Sequence, residues 1–340
     1  MPGPGRYSIW VGRFAHDRGT VLGRVEQTPV IPKVLGRLWH FRQRGSSTRR
    51  RDWRAAYVLI APAAALLGFW FIYPIFETFI LAFQRVNLFH FSQRNYVALQ
   101  NFSQLWHDPA FHHSLYITLV FVVFVVPAQT VLAILLAAVL HSVGVGKTIF
   151  RTAFFVPYMT STVAVTTVFM KLFVYGGPLS NFAASVLHVQ NTTWYAEPHY
   201  ALPFLVIVYV YMYMGLYIVV FVSGIEDIPA DLYEAARVDG AGTVQQFRFV
   251  TVPSLRPFVI FVVVAGLIQA VQIFDQAYVI ASSGAILGSP AGATATLVIF
   301  IYEQAFRLNN LGYGSAAAVV LLGIVFIGTV VTRRLLPERS

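Results

Sequence analysis

The sequence predicts an all-α integral membrane protein with about six transmembrane helices. Three features lead there: a low charge content, a set of long apolar stretches, and basic residues crowded at one end. Of 340 residues, 57% are hydrophobic and only 11% are charged. A soluble domain carries roughly 25% charged residues, because its surface must meet water. A lipid-facing surface cannot tolerate that charge. Cysteine is absent, which excludes a disulfide framework, a thiol nucleophile and a thiolate metal site. The net charge of +10 would fit a nucleic-acid binder, but 12 of the 24 Lys and Arg residues fall within the first 54 positions. The positive charge therefore marks a tail, and nucleic acid is not an expected partner.

Crossing a hydrocarbon core roughly 30 Å thick takes about 20 apolar residues in helix. Six stretches meet or approach this: Tyr57 to Phe76, Leu115 to Leu140, Thr152 to Met170, Ala201 to Ile225, Phe258 to Phe274 and Ser315 to Thr332. Pro62, Pro74 and Pro127 lie inside them, where a membrane helix tolerates proline.

Loop charge then orients the spans. The N-terminus, the second and fourth loops and the C-terminus together hold 20 Lys and Arg, against 3 in the alternate loops; Lys171 sits at a span end. The positive-inside rule puts both termini in the cytoplasm. The expected organisation is a basic tail over 1–54, a six-helix membrane domain over 55–335 with an inward loop at 226–257, and a short cytoplasmic C-terminus at 336–340. The tail has no apolar segment before Tyr57, so it does not read as a cleavable signal peptide. Arg49-Arg50-Arg51 reads as a topology anchor against anionic lipid. Gly and Pro in the opening MPGPG predict an unordered start.

The inward loop reads EDIPADLYEAARVDGAGTVQQFRFVTVPSLRP. It predicts a short helix, a turn at Gly240 and Gly242, and a second short helix ended by Pro253. Pro229 suits a first helical turn, and Asp231 and Glu234 suit the positive end of that helix dipole. Leu232, Ala235 and Ala236 form a small apolar face. Such a face needs a partner to dock on or a membrane surface to lie on; local physics leaves both readings open.

A resemblance decides between them. Glu234-Ala235-Ala236, three residues, Gly240, nine residues, Val250, one residue and Val252-Pro253 resemble the EAA motif of permease subunits of binding-protein-dependent ABC importers. The pattern departs only by Val for Ile and Val for Leu. The resemblance extends from about Asp52 onward and is to the carbohydrate-uptake, maltose-type branch. It includes Asn95-Tyr96, Asn101-Phe102, Asp108-Pro109-Ala110-Phe111, Thr118-Leu119, Arg151, Pro157, Gly177-Pro178-Leu179, Asn181, Phe274-Asp275 and Tyr278-Val279. Ser283-Gly284 and Ser289-Pro290 stand where the family often has a Gly-Gly-Pro turn. The first 50 residues match no pattern of the family.

The resemblance implies a type I ABC importer permease fold in a bacterial or archaeal cytoplasmic membrane. It implies a heteromeric complex with a second homologous permease, a dimer of ATP-binding subunits and an extracytoplasmic solute-binding protein. ATP and Mg would bind the partner subunits, with no cofactor and no catalytic or metal site on this chain. Coupling to the ATPase would run through Glu234, Ala235, Ala236, Asp239, Gly240, Ala241, Phe247 and Pro253. The implied substrate is a sugar or oligosaccharide, close to Met212, Tyr213, Leu216, Gln269 and Gln272.

The residues themselves point to the same two spans. Tyr209, Tyr213 and Tyr217 recur every four residues, as do Gln272 and Gln276 just after Gln269. Amides in a membrane segment are costly unless they pair or face a polar cavity. The stripes read either as a sugar-binding surface or as interhelical packing. Glycerol phosphate or another polar solute is the alternative substrate; it would favour cationic cavity residues, and spans four and five have none. A self-sufficient secondary transporter or channel would need charged or protonatable groups in its spans, and spans two, four and six lack them. A membrane scaffold would not transport within the complete complex.

Two other motifs lead nowhere. Gly146-Lys147-Thr148 lacks the preceding Gly of a phosphate-binding loop, since His141 stands in the required register, five positions before Gly146 with four residues between, and no strand precedes it. His107, His112 and His113 cluster in an outer loop and read as solvated histidines.

Overall fold

A computed structural model describes residues 47–90, 93–142, 146–282 and 288–335. The expectations for the basic tail before 47 and for the C-terminus from 336 lie outside these residues. The chain divides into two units at Leu67/Gly68.

In the first unit, helix α1 (Ser47–Leu67) contains Pro62 and exposes Tyr57, Val58, Leu59 and Ile60. The second unit opens with a π-helical turn at Gly68–Ile72, followed by α2 (Tyr73–Ala82). Pro74 explains the wide turn: it lacks an N–H and its ring clashes with the carbonyl four residues back. A two-residue antiparallel pair follows, β1 (Gln84–Arg85) with β2 (Asn95–Tyr96), in the register Gln84↔Tyr96. It is the one departure from helix among the described elements.

Then come α3 (Gln100–His107), the long α4 (Pro109–Ser142), α5 (Lys147–Met159), α6 (Thr162–Leu172), α7 (Pro178–Leu187) and α8 (Pro198–Glu226). The loop after α8 forms α9 (Ala230–Val238) and α10 (Thr243–Gln246). Helix α10 runs on through a π turn at Phe247–Thr251 and a last turn at Val252–Ser254. The chain ends with α11 (Arg256–Val271), α12 (Asp275–Ser282), α13 (Leu297–Tyr302) and α14 (Leu311–Leu335).

Five stretches are long and apolar enough to cross a membrane: Ala56–Ala82, Pro109–Ser142, Pro198–Glu226, Arg256–Ala281 and Leu311–Leu335. A sixth counts only if α5 and α6 are taken together, and these are bent by 99°. The third span is therefore an elbow, where the sequence reads as one helix from Thr152 to Met170. Pro157 removes one helical donor, and the Thr160-Ser161-Thr162 run offers hydroxyls that compete with the helix ladder. Thr160 Oγ1 donates to Val156 O at 2.8 Å, and Thr160 itself is extended at ψ 153°.

Helix α8 is the axis of the bundle, packed on α4 and α5. Gly215 makes the second contact close: a Cβ there would overlap the Phe154 carbonyl oxygen of α5. Small residues at such crossings let membrane helices approach backbone to backbone. One core joins Phe121 and Val125 of α4 to Phe204, Leu205 and Tyr209 of α8; another joins Ala133 and Ala137 to Tyr217, Ile218 and Phe221. Outward, Val123, Phe124, Val131, Leu322 and Phe326 are exposed, which suits hydrocarbon as the surrounding solvent.

Candidate substrate cavity and coupling loop

A cavity of about 370 Å³ opens between α5, α6, α8 and α11, lined by Tyr158, Thr162, Met212, Tyr213 and Gln269. The elbow supplies the first two residues, one from each limb. The Gly215 contact holds α5 where Tyr158 reaches Tyr213, with ring centroids 6.0 Å apart. Hydroxyls, an amide and a thioether line the cavity, and no charged group does. Such a lining can hydrogen-bond neutral hydroxyls and stack a ring face; it offers nothing to balance a carboxylate or phosphate.

The structure separates the two predicted stripes. Tyr213 is half-buried at the cavity, whereas Tyr209 and Tyr217 are 1% and 0% exposed. Tyr209 packs edge-on against Phe121 at 5.3 Å. The glutamines do not share one helical face, because α11 ends at Val271 and α12 starts at Asp275. Gln269 faces the cavity, Gln272 lies exposed at the helix end, and Gln276 is buried with Nε2 3.6 Å from Met212 Sδ. Gln276 also interacts with the Tyr213 hydroxyl. Leu216 is half-buried in the core of α4 and α8. Lys171 is exposed at the end of α6 and does not line the cavity.

Sequence reasoning missed Tyr158 and Thr162 because it took their span as continuous; the three hydroxyl residues after Pro157 were the available signal. It also missed Gln129, a single amide inside the 34-residue apolar helix α4.

The loop after α8 shows why its motif is spaced as it is. Gly240 N–H donates to Arg237 O at 3.1 Å and Ala241 N–H to Ala236 O at 2.9 Å. This pair of bonds is a Schellman closure, which places a left-handed residue four positions after the acceptor at the third-last helical residue. Ala236 is that acceptor and Gly240, at φ +80°, is that residue. Gln246 Nε2 then donates to Ala241 O, and the Gly242 N–H donates to Gln245 Oε1, both at 2.8 Å. A hydrogen bond of 2.9 Å between Tyr233 Oη and Thr251 Oγ1 ties α9 to the π turn.

Two local readings need correction. Pro229 precedes the first helical residue, at ψ 133°, and Pro253 opens the last turn instead of ending the helix. As at Pro74, the π turn lies just before the proline. Glu234, Ala235, Asp239 and Pro253 are exposed; Ala236, Ala241 and Phe247 are half-buried. Leu232, Val238, Val244 and Phe249 present apolar side chains outward. Arg151 of α5 donates to Glu226 at 2.6 Å, so the elbow's first limb is tied to the start of this loop.

The three clustered histidines each bond a different backbone carbonyl: His107 that of Ser103, His112 that of Trp106, and His113 that of Gly292. Among the described residues no group of three His, Cys, Asp or Glu is arranged to hold a metal. Helix α4, running to Ser142, stands before Gly146-Lys147-Thr148 where a phosphate-binding loop would have a strand.

A multi-pass bundle with a broken span at a polar cavity and a helical loop between two spans is a membrane permease. The chain belongs to the family described as "Binding-protein-dependent transport system inner membrane component", whose pattern matches residues 129–340. It is 30% identical over 302 residues to the arabinooligosaccharides transport system permease protein AraP of Bacillus subtilis (strain 168), covering 85% of this chain and 93% of the relative. It is 28% identical to the lactose transport system permease protein LacF of Rhizobium radiobacter, covering 80% of this chain and 90% of the relative. The trehalose/maltose transport system permease protein MalF of Thermococcus litoralis is 27% identical, covering 84% and 95%. In fold, the chain matches a bacterial ABC transporter involved in the import of the acidic polysaccharide alginate, with TM-score 0.70 and 21% identity over 88% of this chain and 99% of that one.

Proposed function

We propose that this chain is one of two permease subunits of an ATP-driven importer of a neutral sugar or oligosaccharide. The observation that carries the substrate class is the uncharged cavity of hydroxyls and an amide at the elbow. The sugar names borne by the relatives agree with it. ATP and Mg bind partner subunits, which receive Glu234, Ala235, Ala236, Asp239, Gly240, Ala241, Phe247 and Pro253 on the coupling loop. A second permease completes the path, and a solute-binding protein delivers sugar from outside, as a periplasmic protein meets the alginate transporter. Met212, Tyr213 and Gln269 contact the sugar. Gln276 and Leu216 support them from behind, and Gln272 stands at the helix end.

The test is uptake by the reconstituted complex. Gln269→Leu is expected to raise the half-saturating sugar concentration about fivefold, the loss of one neutral hydrogen bond of about 1 kcal/mol. Unchanged half-saturation would remove Gln269 from the site.

Orientation follows the charge count, with both termini and the coupling loop cytoplasmic. The chain has no cysteine, and Thr243 and Gln104 are both exposed. In intact cells an impermeant thiol reagent should label Gln104→Cys and spare Thr243→Cys; the opposite pattern inverts the topology.

A further inference from the structure

Gln129 lies in the middle of α4 and is 0% exposed. Neither the oxygen nor the nitrogen of its amide has a hydrogen-bond partner. Unpaired amides in a membrane core are costly, and an apolar residue of the same shape would avoid the cost. The neighbourhood is built around this group. Gly266 of α11 leaves room for it: a Cβ at Gly266 would overlap the Gln129 amide nitrogen. The Tyr217 hydroxyl lies 3.5 Å from that same point. Tyr217 donates instead to Gln269 Oε1, in a long bond of 3.4 Å. Gly266 and Gln269 are three residues apart, on one face of α11. Three helices therefore bring two amides and one hydroxyl together, and the hydroxyl holds the cavity-facing amide by one long hydrogen bond.

We propose that Gln129 is a positioning residue for Gln269, the second partner of a Tyr217 hydroxyl that changes hands when sugar binds. In the empty cavity the hydroxyl donates to Gln269. A sugar hydroxyl that donates to Gln269 Oε1 displaces that long bond. The Gln129 amide, whose nitrogen now faces this point, turns over so that Tyr217 donates to Oε1, which ends the orphaned state of the Gln129 carbonyl. No covalent bond changes; one proton donor exchanges acceptors. The free energy recovered at Gln129 favours the loaded state, and the exchange reports cavity occupancy to α4. The inference rests on the reading of the cavity as a sugar site.

The experiment uses the complete complex with its solute-binding protein in proteoliposomes. The probe is whichever of maltose, trehalose, lactose or arabinotriose most stimulates ATP hydrolysis by the wild-type complex. Gln129→Met keeps the side-chain length and removes both polar atoms; Gln129→Leu is the second variant should the first assemble poorly. Removing an orphaned amide should leave thermal stability equal or higher. Half-saturation by the sugar should nevertheless rise about fivefold, the worth of one neutral hydrogen bond. In a Tyr217→Phe background Gln129→Met should have no further effect, because the donor is gone. A shift in stability with unchanged half-saturation, or independent effects of Gln129→Met and Tyr217→Phe, overturns the proposal. If Gln269→Leu shifts half-saturation and Gln129→Met does not, the cavity reading stands and this inference alone falls. If Gln269→Leu is silent, or no sugar stimulates the wild-type complex, both fall together.

Discussion

Gly215→Val is expected to abolish uptake by preventing native helix packing. The new side chain would meet the backbone of α5 at Phe154 and Phe155, and backbone cannot move aside as a flexible side chain can. Overpacking of a close-packed interior costs about 1–3 kcal/mol and sometimes more; a rigid backbone contact belongs at the top of that range. Separating α5 from α8 also withdraws Tyr158 from the cavity. Gly323→Val in α14 is the control, since a Cβ there meets nothing within 4 Å. Yield of monodisperse chain in detergent, measured beside uptake, decides the matter. Equal yields for the two variants would show that the α5–α8 crossing is not a close one.

Gly240→Val is expected to leave the chain folded in the membrane and uncouple it from ATP hydrolysis. Nothing lies within 4 Å of a Cβ at Gly240, so the penalty comes from φ +80° alone. For a β-branched residue the left-handed region costs roughly 1–2 kcal/mol or more. Relieving that strain opens the Schellman closure and changes the direction in which the chain leaves α9. The exposed face of Leu232, Val238 and Val244 would then no longer match one docking surface. Sugar-stimulated hydrolysis by the complete complex should fall about tenfold, as a loss of about 1.4 kcal/mol in coupling requires. Gly240→Asn should lose much less, because Asn tolerates the left-handed region. A Val variant that couples as well as the Asn variant would sink the assignment of this loop to the ATPase.

The spans were legible wherever hydrophobicity is uniform. Helices α4 and α8 carry long uncharged apolar runs, and the limits read from sequence, 115–140 and 201–225, lie one to six residues inside the helix ends. The helix–turn–helix after α8 was legible for a different reason: Gly240 is a backbone signal, and its distance from Ala236 is fixed by hydrogen-bond geometry. Hydropathy could not reveal the elbow, because its mean is the same for two apolar limbs whether they are collinear or bent; only the hydroxyl run after Pro157 marked the break. The end of α11 was equally silent. No Gly or Pro stands at Gln272, and the glutamine spacing reads as one face only if the helix continues. Gln129 escaped because one amide hardly changes the average of a long apolar helix. Its importance lies in what three separate helices bring beside it, which no local pattern encodes.

The elbow has a consequence for how selectivity is distributed. At Met159 one helix stops, and at Thr162 another begins, with no side-chain cap on Ser161. The first amides of a helix lack partners within it, as do its last carbonyls. Tyr158 and Thr162 place both ends beside the cavity. The first amides of α6 have no carbonyl partner within their helix, whereas the Thr160 N–H and Oγ1 already take the Pro157 and Val156 carbonyls at the end of α5. Replacing cavity residues one by one would retune which sugar is preferred more readily than it would erase sugar recognition.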